Sequence, residues 1–334
     1  MTRLRTPLCA RLGIEVPIVQ APMGSCAVPP LAAAVSAAGG LGMLGVTWLT
    51  PAETRASVRA TRARTERPFG VNLSLAWSQH ERLAACLEEG VRIVSLFWGD
   101  PSPYVRAIHD AGALLLQTVG SAEEARRVID AGADVVVAQG WEAGGHVWSE
   151  VASLPLVPCV VDAAGATPVI AAGGIADGRG VAAALVLGAG AAWLGTRFLA
   201  SEEVFVHPDY RRRILAARET DTIHTFLFDV GWEDAPHRTL RNTTLTSWET
   251  AGRPLPGRRP GEGDTVARLP GGMPVARYSD IPPLPGMEGD LEALVHYAGQ
   301  SAGLVTRVQP AADIVRELVE QAAVALGRAA DLLA

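Results

Sequence analysis

Ala-rich amphipathic stretches alternate with short, wholly apolar runs over roughly the first 200 residues, and a glycine stands at nearly every junction. The junction recurs at Gly39-Gly40 before residues 41–46, at Gly90 before 91–98, at Gly112 before 114–119, at Gly132 before 135–139, at Gly165 before 168–172 and at Gly188 before 191–194. A glycine just past a helix takes the left-handed conformation that closes the last turn, so each junction predicts a helix end followed by a buried strand. Residues 16–21 and 69–75 bring the strands to eight. These runs lack polar alternation, as strands covered on both faces do, and each is followed by a helix-like stretch. Strand and helix alternating eight times predict an α/β fold, a TIM-type (β/α)8 parallel barrel. An open doubly wound sheet is the rival topology.

The rhythm stops after Phe198. Between residues 252 and 290, proline and glycine supply 16 of 39 positions, a composition that opposes regular helix and predicts an extended, loop-rich segment. Residues 291–298 and 311–333 then read as two helices, the second amphipathic with Ile314, Leu318, Ala322 and Leu326 on one face. The expected division is a barrel over 1–205, a smaller cap or lid inserted at 206–289, and C-terminal helices at 290–334 packing back on the barrel.

Composition narrows the chemistry. All 29 basic residues are arginine. Schiff-base aldolases, pyridoxal-phosphate enzymes and lysine-bearing P-loops are excluded, because each needs a primary amine. A net charge of -6 disfavours the broad electropositive surface that nucleic acid requires. Anionic ligands must be held locally. Cys9, Cys26, Cys86 and Cys159 are scattered, form no C-x-x-C pair and read as reduced, buried thiols, so the expected compartment is cytoplasmic. Residues 1–15 carry arginines with no apolar stretch after them, which disfavours a signal peptide. The 17-residue uncharged run between Arg179 and Arg197 falls short of a membrane span of roughly 18 to 20.

In barrels the working groups sit at the C-terminal ends of the strands. The first strand ends Gln20-Ala21-Pro22-Met23-Gly24, a turn that lets backbone approach a flat ligand with the flexible Met23 beneath a ring; an ordinary strand-to-helix turn looks the same. Asn72 in the third strand and Gln117 in the fifth put amides at equivalent depths in apolar runs. There they grip the donor and acceptor edge of a heterocycle or serve as satisfied core groups.

The sixth strand end, Ala138-Gln139-Gly140-Trp141-Glu142-Ala143-Gly144-Gly145-His146, is the sharpest feature. His80 and His109 fall on charged helices, and His207, His224, His237 and His296 lie outside the barrel repeat. His146 alone sits on a glycine loop at a working position, where a near-neutral pKa suits proton transfer or hydrogen bonding to an anionic substrate. Glu142 either orients it or caps the next helix. Gly173-Gly174 after the seventh strand and Gly195-Thr196 after the eighth, each opening a helix, match the usual phosphate site of barrels. Backbone N–H groups would there replace the missing lysine.

Other features carry less. Gly299-Gln300-Ser301-Ala302-Gly303 matches a nucleophile elbow, but the elbow needs a strand before it and residues 291–298 read as helix. No Cys/His cluster or metal-binding motif stands out, so no metal is expected. Arg211-Arg212-Arg213 reads as a solvated helix face. Trp48, Trp77, Trp98 and Trp141 fall at or just beyond strand ends, where they wall a pocket or pack the rim.

From Pro17 to about Ala200, the motifs Q-A-P-M-G, A-V-S-A-A-G-G-L-G, G-V-N-L, A-Q-G-W-E-A-G-G-H, A-A-G-G-I-A-D-G and L-G-T-R-F resemble those of the flavin-dependent nitronate monooxygenase family, formerly called 2-nitropropane dioxygenases. A weaker echo continues through Pro236-His237-Arg238 and Tyr297-Ala298-Gly299-Gln300. The resemblance implies FMN across the barrel mouth. Ala21, Pro22 and Met23 would flank the isoalloxazine, Asn72 and Gln117 would contact ring or ribityl polar atoms, and Gly144 and Gly145 would border the cofactor. Gly173, Gly174, Gly195 and Thr196 would bind the phosphate, with His146 facing flavin N5 and the substrate.

The implied reaction is oxidation of an alkyl nitronate, extending to nitroalkanes, with O2 reoxidising the flavin and a carbonyl compound and nitrite as products. The chain is also similar to NAD(P)H-dependent quinone reductases and flavin-containing enoyl-acyl-carrier-protein reductases, which keeps a dehydrogenase as the alternative. A sugar-phosphate isomerase or lyase and a non-enzymatic flavin module are further readings of the same loops. The family often continues G-G-H-x-G; here His146-Val147-Trp148 puts an indole where a small residue is usual, and so puts the pocket volume in question. No nucleic acid or membrane is implied as a partner, and a homodimer stays open. Without lysine, negative charge on a reduced flavin must be balanced by Gln117, an arginine, helix N-termini or backbone amides.

Overall fold

The glycine junctions end helices as expected: Gly90, Gly112, Gly132 and Gly188 all take positive φ in the computed structural model, which describes residues 4–333. The chain runs α1 (Pro7–Leu12), β1 (Ile18–Gln20), α2 (Pro29–Ala37), β2 (Gly42–Gly45), α3 (Pro51–Arg62), β3 (Phe69–Ser74), α4 (His80–Glu88), β4 (Ile93–Phe97), α5 (Ser102–Asp110), β5 (Leu114–Val119), α6 (Ala122–Asp130), β6 (Val135–Gln139), β7 (Gly145–His146), α7 (Ser153–Ala164), β8 (Val169–Ala172), α8 (Gly178–Val186) and β9 (Ala191–Leu194). Helix starts are fixed locally. Thr50 and Glu53 form a capping box on α3, and Ser121 and Asp177 cap α6 and α8, each cap contributing about 1 kcal/mol.

Eight of the strands form one parallel sheet in the order β1-β9-β8-β6-β5-β4-β3-β2. A parallel bridge between Val19 and Leu41 joins its two ends, with Gln20 N–H donating to Leu41 O and Leu41 N–H to Ile18 O, both at 2.9 Å. The sheet is thus a (β/α)8 barrel, the architecture that the strand-helix rhythm predicts, and the open sheet is excluded. Successive strand residues point to opposite faces. Val19, Met43, Ile93, Leu116, Val135, Val137, Ile170 and Trp193 fill the barrel interior, and Leu8, Cys9 and Leu12 of α1 belong to the same apolar cluster. Ile18, Leu44, Val71, Val94, Leu115, Val136 and Ala192 face the other way and pack with the helices. Burying each large aliphatic side chain is worth at most about 1.5–3 kcal/mol.

Beyond β9 the chain forms α9 (Pro208–Ala216), β10 (Thr222–Thr225), β11 (His237–Leu240), α10 (Thr243–Thr250), β12 (Thr265–Arg268), β13 (Pro274–Ala276), β14 (Glu288–Gly289) and α11 (Ala311–Asp331). Two small antiparallel sheets result, β10-β11-β7 and β13-β12-β14. The first borrows β7 from the barrel loop. Helix α11 packs against α8 and α2, the place of the eighth barrel helix, so the inserted segments lie between the eighth strand and the eighth helix. Among the described residues no helix is long and apolar enough to cross a membrane.

Three expectations are corrected. Residues 291–298 are not a helix: one 3-10 turn, Leu291–Ala293, gives way to extended chain on the edge of β11, where Leu240 N–H donates to His296 O at 2.9 Å and Thr239 bridges Tyr297. Val295, His296 and Tyr297 suit a pleated edge better than a helix. Cys159 is exposed, unlike the buried Cys9, Cys26 and Cys86. Arg213 is not solvated, since its guanidinium donates to Glu292 and to Arg241 O, both at 2.5 Å.

Candidate active site

A cavity of about 520 Å3 opens at the C-terminal ends of the barrel strands, beneath the inserted segments. Eleven of the twelve residues expected at the site line it: Ala21, Pro22 and Met23 after β1, Asn72 on β3, Gly144, Gly145 and His146 after β6, Gly173 and Gly174 after β8, and Gly195 and Thr196 after β9. Gln117 does not. Its neighbours Leu115 and Val119 pack with the helices, so the pleat turns Gln117 away from the cavity, and its Nε2 donates to Thr118 O at 3.3 Å. The cavity's second amide is Gln139, which shares its face of β6 with Val135 and Val137. Gln139 Nε2 donates to His146 O at 3.2 Å, while its Oε1 is buried without a partner.

Glycine is dictated by close approach at the seam between barrel and insertion. A Cβ on Gly144 would sit 2.4 Å from Gly299 N and 2.5 Å from Ala298 C. Gly299 N–H donates to Thr196 Oγ1 at 2.9 Å, so that hydroxyl keeps its own hydrogen for another acceptor. Gly173 and Gly174 take successive positive φ, 95° and 71°, a bend that exposes backbone to a ligand without side chains in the way. The start of α8 is less available than its position suggests: Gly178 N–H is taken by Gln321 Oε1 and Gly180 N–H by Asp177, at 3.0 and 3.1 Å. Any oxyanion here meets the 173–174 bend and the 195–196 turn rather than α8.

His146 is not on a free loop. It forms the two-residue strand β7, paired with β11 so that His146 lies opposite His237. Trp232 stacks on the imidazole with ring centres 4.1 Å apart, and Tyr297 packs at 5.4 Å. His146 Nε2 is buried with no partner. Burial, and then the neighbouring His237, push its pKa well below the ordinary 6.5, so the ring is neutral near pH 7. His237, fully buried, donates from Nδ1 to Ala235 O at 2.9 Å and is held down to about 4 by burial. Its Nε2 likewise has no partner.

Glu142 is a cap. Its carboxylate accepts from Ser153 N–H at 2.8 Å and from the Ser153 hydroxyl at 3.0 Å, at the first turn of α7, and does not orient His146. Trp148 leaves the cavity volume untouched, because its indole N–H donates to Glu124 at 3.1 Å and its ring packs on Trp98 and Phe97. Trp48 lines the cavity, Trp77 and Trp98 brace Trp232, and Trp141 carries the Arg238 guanidinium 4.0 Å above its ring. The Gly299–Gly303 motif, preceded by extended chain after all, opens into a 3-10 turn and serves as the seam to Thr196.

Sequence reasoning missed Trp232, Asp280 and Tyr297, which the insertion adds to the cavity wall. Only Tyr297 carried a signal, in the weak Tyr297-Ala298-Gly299-Gln300 echo. Tyr297 OH donates to the Asp280 carbonyl at 3.0 Å, and burial holds the phenol well above its ordinary pKa. Burial also raises the Asp280 carboxyl to about 6. Among the described residues, no arginine lines the cavity. Arg197, next to Thr196, turns away to Gln309 and Glu317, and Arg238 donates to Trp141 O at 2.9 Å. With Gln117 also turned away, the cavity's electrostatics come from backbone dipoles, neutral side chains and the Asp280 carboxyl.

Comparison with known proteins points the same way. Residues 5–321 match the family model described as nitronate monooxygenase. A nitronate monooxygenase of Paraburkholderia phytofirmans is 35% identical over 92% of each chain. A protein of Mycobacterium tuberculosis named (3aS,4S,5R,7aS)-5-hydroxy-7a-methyl-1-oxo-octahydro-1H-indene-4-carboxyl-CoA dehydrogenase is 40% identical over 75% of this chain and 70% of its own. Among solved structures, FabK from Thermotoga maritima superposes with a TM-score of 0.85 at 35% identity, covering 98% of this chain and 99% of that one. Nitroalkane oxidase from Streptomyces ansochromogenes gives 0.75 at 29% identity, covering 96% and 99%.

Proposed function

The chain belongs to the nitronate monooxygenase family and is a flavin-dependent oxidoreductase, and we propose that it oxidises small alkyl nitronates with O2 to a carbonyl compound and nitrite, using FMN. The observation that carries this reading is the pairing of a neutral, unpartnered His146 with a cavity that no arginine among the described residues lines. Guanidinium groups often clamp the pyrophosphate of a nicotinamide dinucleotide or a coenzyme A thioester, and no described residue of this cavity supplies one. A compact substrate with one delocalised anionic group needs only a few neutral donors.

The residues present suit a flavin monophosphate. Gly173, Gly174, Gly195 and Thr196 offer one phosphate-sized cradle, and the unpartnered Gln139 Oε1 awaits a donor. Asn72 and Gln139 would meet the polar ring edge or ribityl chain, with Ala21, Pro22 and Met23 against a ring face. A bound flavin supplies the electron acceptor and the reactivity toward O2. His146 orients the nitronate oxygens by hydrogen bonding, and Trp232 stacked on it keeps water from that hydrogen bond. Because the imidazole is neutral before substrate arrives, it donates or accepts without first losing a proton.

Aerobic turnover of ethyl nitronate tests this directly. Oxygen uptake with matching nitrite and acetaldehyde is expected, and His146→Ala should lower kcat/KM by about 100-fold or more. Rapid NADH oxidation with no nitrite would instead make the protein a reductase.

A further inference from the structure

Two indoles beside the cavity stand partly in solvent and have no role in the scheme above. Trp48, in the loop after β2, lines the cavity and is 49% exposed; Trp77, in the loop after β3, is 36% exposed and meets it edge-on with ring centres 6.0 Å apart. Both pack against Trp232 of the insertion, at 6.4 and 4.8 Å, and Trp232 is itself buried and stacked on His146 at 4.1 Å. Aromatic rings therefore run without a break from the imidazole to the solvent. The place of Trp48 is fixed by backbone on the barrel side. A Cβ added to Gly24 would lie 3.6 Å from the Trp48 ring, and one added to Gly45 would lie 2.6 Å from Gly24 O, so the indole stands beside a turn held tightly on the end of β2. The insertion adds Leu269, Ile281, Pro282 and Leu284 to the same lining. Large apolar side chains left open to solvent around a cavity are the mark of a ligand surface, since a ligand that covers them completes their burial.

We propose that Trp48 and Trp232, braced by Trp77, form a subsite for the hydrocarbon body of the substrate, and that the preferred substrate carries an unbranched chain longer than ethyl. Its charged end meets His146 while the chain follows the rings outward. A two-carbon chain held at His146 spans only the first ring contact, with Trp232, and leaves Trp48 uncovered. Each further methylene laid on the indoles leaves water for an apolar wall, which is worth about fourfold in affinity. The same wall offers a chain no hydrogen-bond partner beyond the indole N–H groups, so selectivity comes from apolar area rather than from polar readout. This inference rests on the nitronate reading for the charged end, but the chain subsite is measurable without turnover.

Straight-chain carboxylates are the probe, because they share one charge between two oxygens as a nitronate does. Propionate, butyrate and hexanoate are titrated into the flavin-loaded protein, and binding is read from the shift of the flavin absorbance band. In the wild type Kd should fall by about 60-fold from propionate to hexanoate. Trp48→Ala should cut that ratio to below about tenfold, and Trp48→Phe, which keeps an aromatic face, should restore part of it. The same ordering is expected in kcat/KM for ethyl, propyl and hexyl nitronates. Flavin absorbance and thermal melting report that each variant is folded and loaded. A flat carboxylate series in the wild type, no binding of hexanoate, or the wild-type ratio retained by Trp48→Ala would each overturn the proposal. So would a Trp48→Ala protein that loses its flavin but keeps the ratio, since the indole would then hold the cofactor and not the chain. A ratio that depends on Trp48, in a protein whose flavin no nitronate bleaches, would leave the chain subsite standing and overturn the nitronate oxidation.

Discussion

The two walls of the cavity are built in different ways. The barrel wall is made of small residues and backbone at the ends of parallel strands: Ala21, Gly144, Gly173, Gly174 and Gly195, with Asn72 and Gln139 as its amides. The wall from the insertion is aromatic and titratable: Trp232, Asp280 and Tyr297, with His237 behind His146. The first suits a flat cofactor with a phosphate, held by main chain at low conformational cost. The second sets aromatic rings and titratable groups around His146. His146 belongs to both, since its residue comes from the barrel loop but its strand pairing comes from β11. Cofactor binding and substrate chemistry can therefore be disturbed separately, and the loop that joins them is where both should fail together.

The largest separation should come from Trp232→Ala. Removing a buried indole costs about 3–5 kcal/mol where the site cannot collapse. The variant should melt earlier, yet keep its flavin, and the His146 pKa should rise toward 6.5 as water reaches the ring, measurable by histidine NMR titration. Flavin loss with an unchanged His146 titration would erase the distinction between the walls. Gly144→Ala attacks the joint instead, since its Cβ would press on the Gly299 and Ala298 backbone. It should destabilise by about 1–3 kcal/mol and weaken both flavin binding and turnover, read by flavin fluorescence and nitrite release.

Acid should loosen the insertion before the barrel. His237 and His296 are both buried there and held down to about 4, whereas an unfolded histidine titrates near 6.5. Between those values the unfolded chain takes up protons that the folded chain refuses. Stability is therefore full above about pH 6.5 and falls as pH drops, by up to about 3 kcal/mol per histidine at pH 4. Asp280, raised to about 6, works in the opposite sense and offsets part of the loss, because the folded state protonates it first. Urea denaturation at pH 7 and pH 5 measures the difference. A flat profile would mean that these imidazoles are not held neutral.

The smallest effect is also the most pointed. Gln139→Leu should weaken flavin binding by about tenfold, the worth of roughly one hydrogen bond, while Gln117→Leu should leave the flavin Kd within about twofold. Both are glutamines in apolar strands, and only the pleat distinguishes them. This pair also shows where reading the chain runs out. A parallel strand buried on both faces has no polar side to reveal which residues point inward, and here Asn72 lines the cavity while Gln117 does not.

The barrel was legible because its elements repeat locally, each helix closing on a glycine before an apolar strand. The insertion was not, because its order depends on distant pairings: β7 with β11, Val230 with Ser279, and Tyr297 with Thr239. The aromatic Trp232 and the carboxylate of Asp280 stand in loop-rich sequence with no periodicity around them. Nothing local marks them as facing His146. The helix expected over 291–298 failed for the same reason, as an edge of β11 claimed those backbone groups.

The central claim is that this cavity passes electrons from a nitronate, not from a nicotinamide, to the flavin. Anaerobic stopped-flow mixing of the flavin-loaded protein with ethyl nitronate, NADH and NADPH tests it most directly. Rapid loss of the oxidised flavin band with the nitronate and slow or no loss with either nicotinamide is the predicted result. Rapid bleaching by NADH or NADPH with none by the nitronate would contradict it.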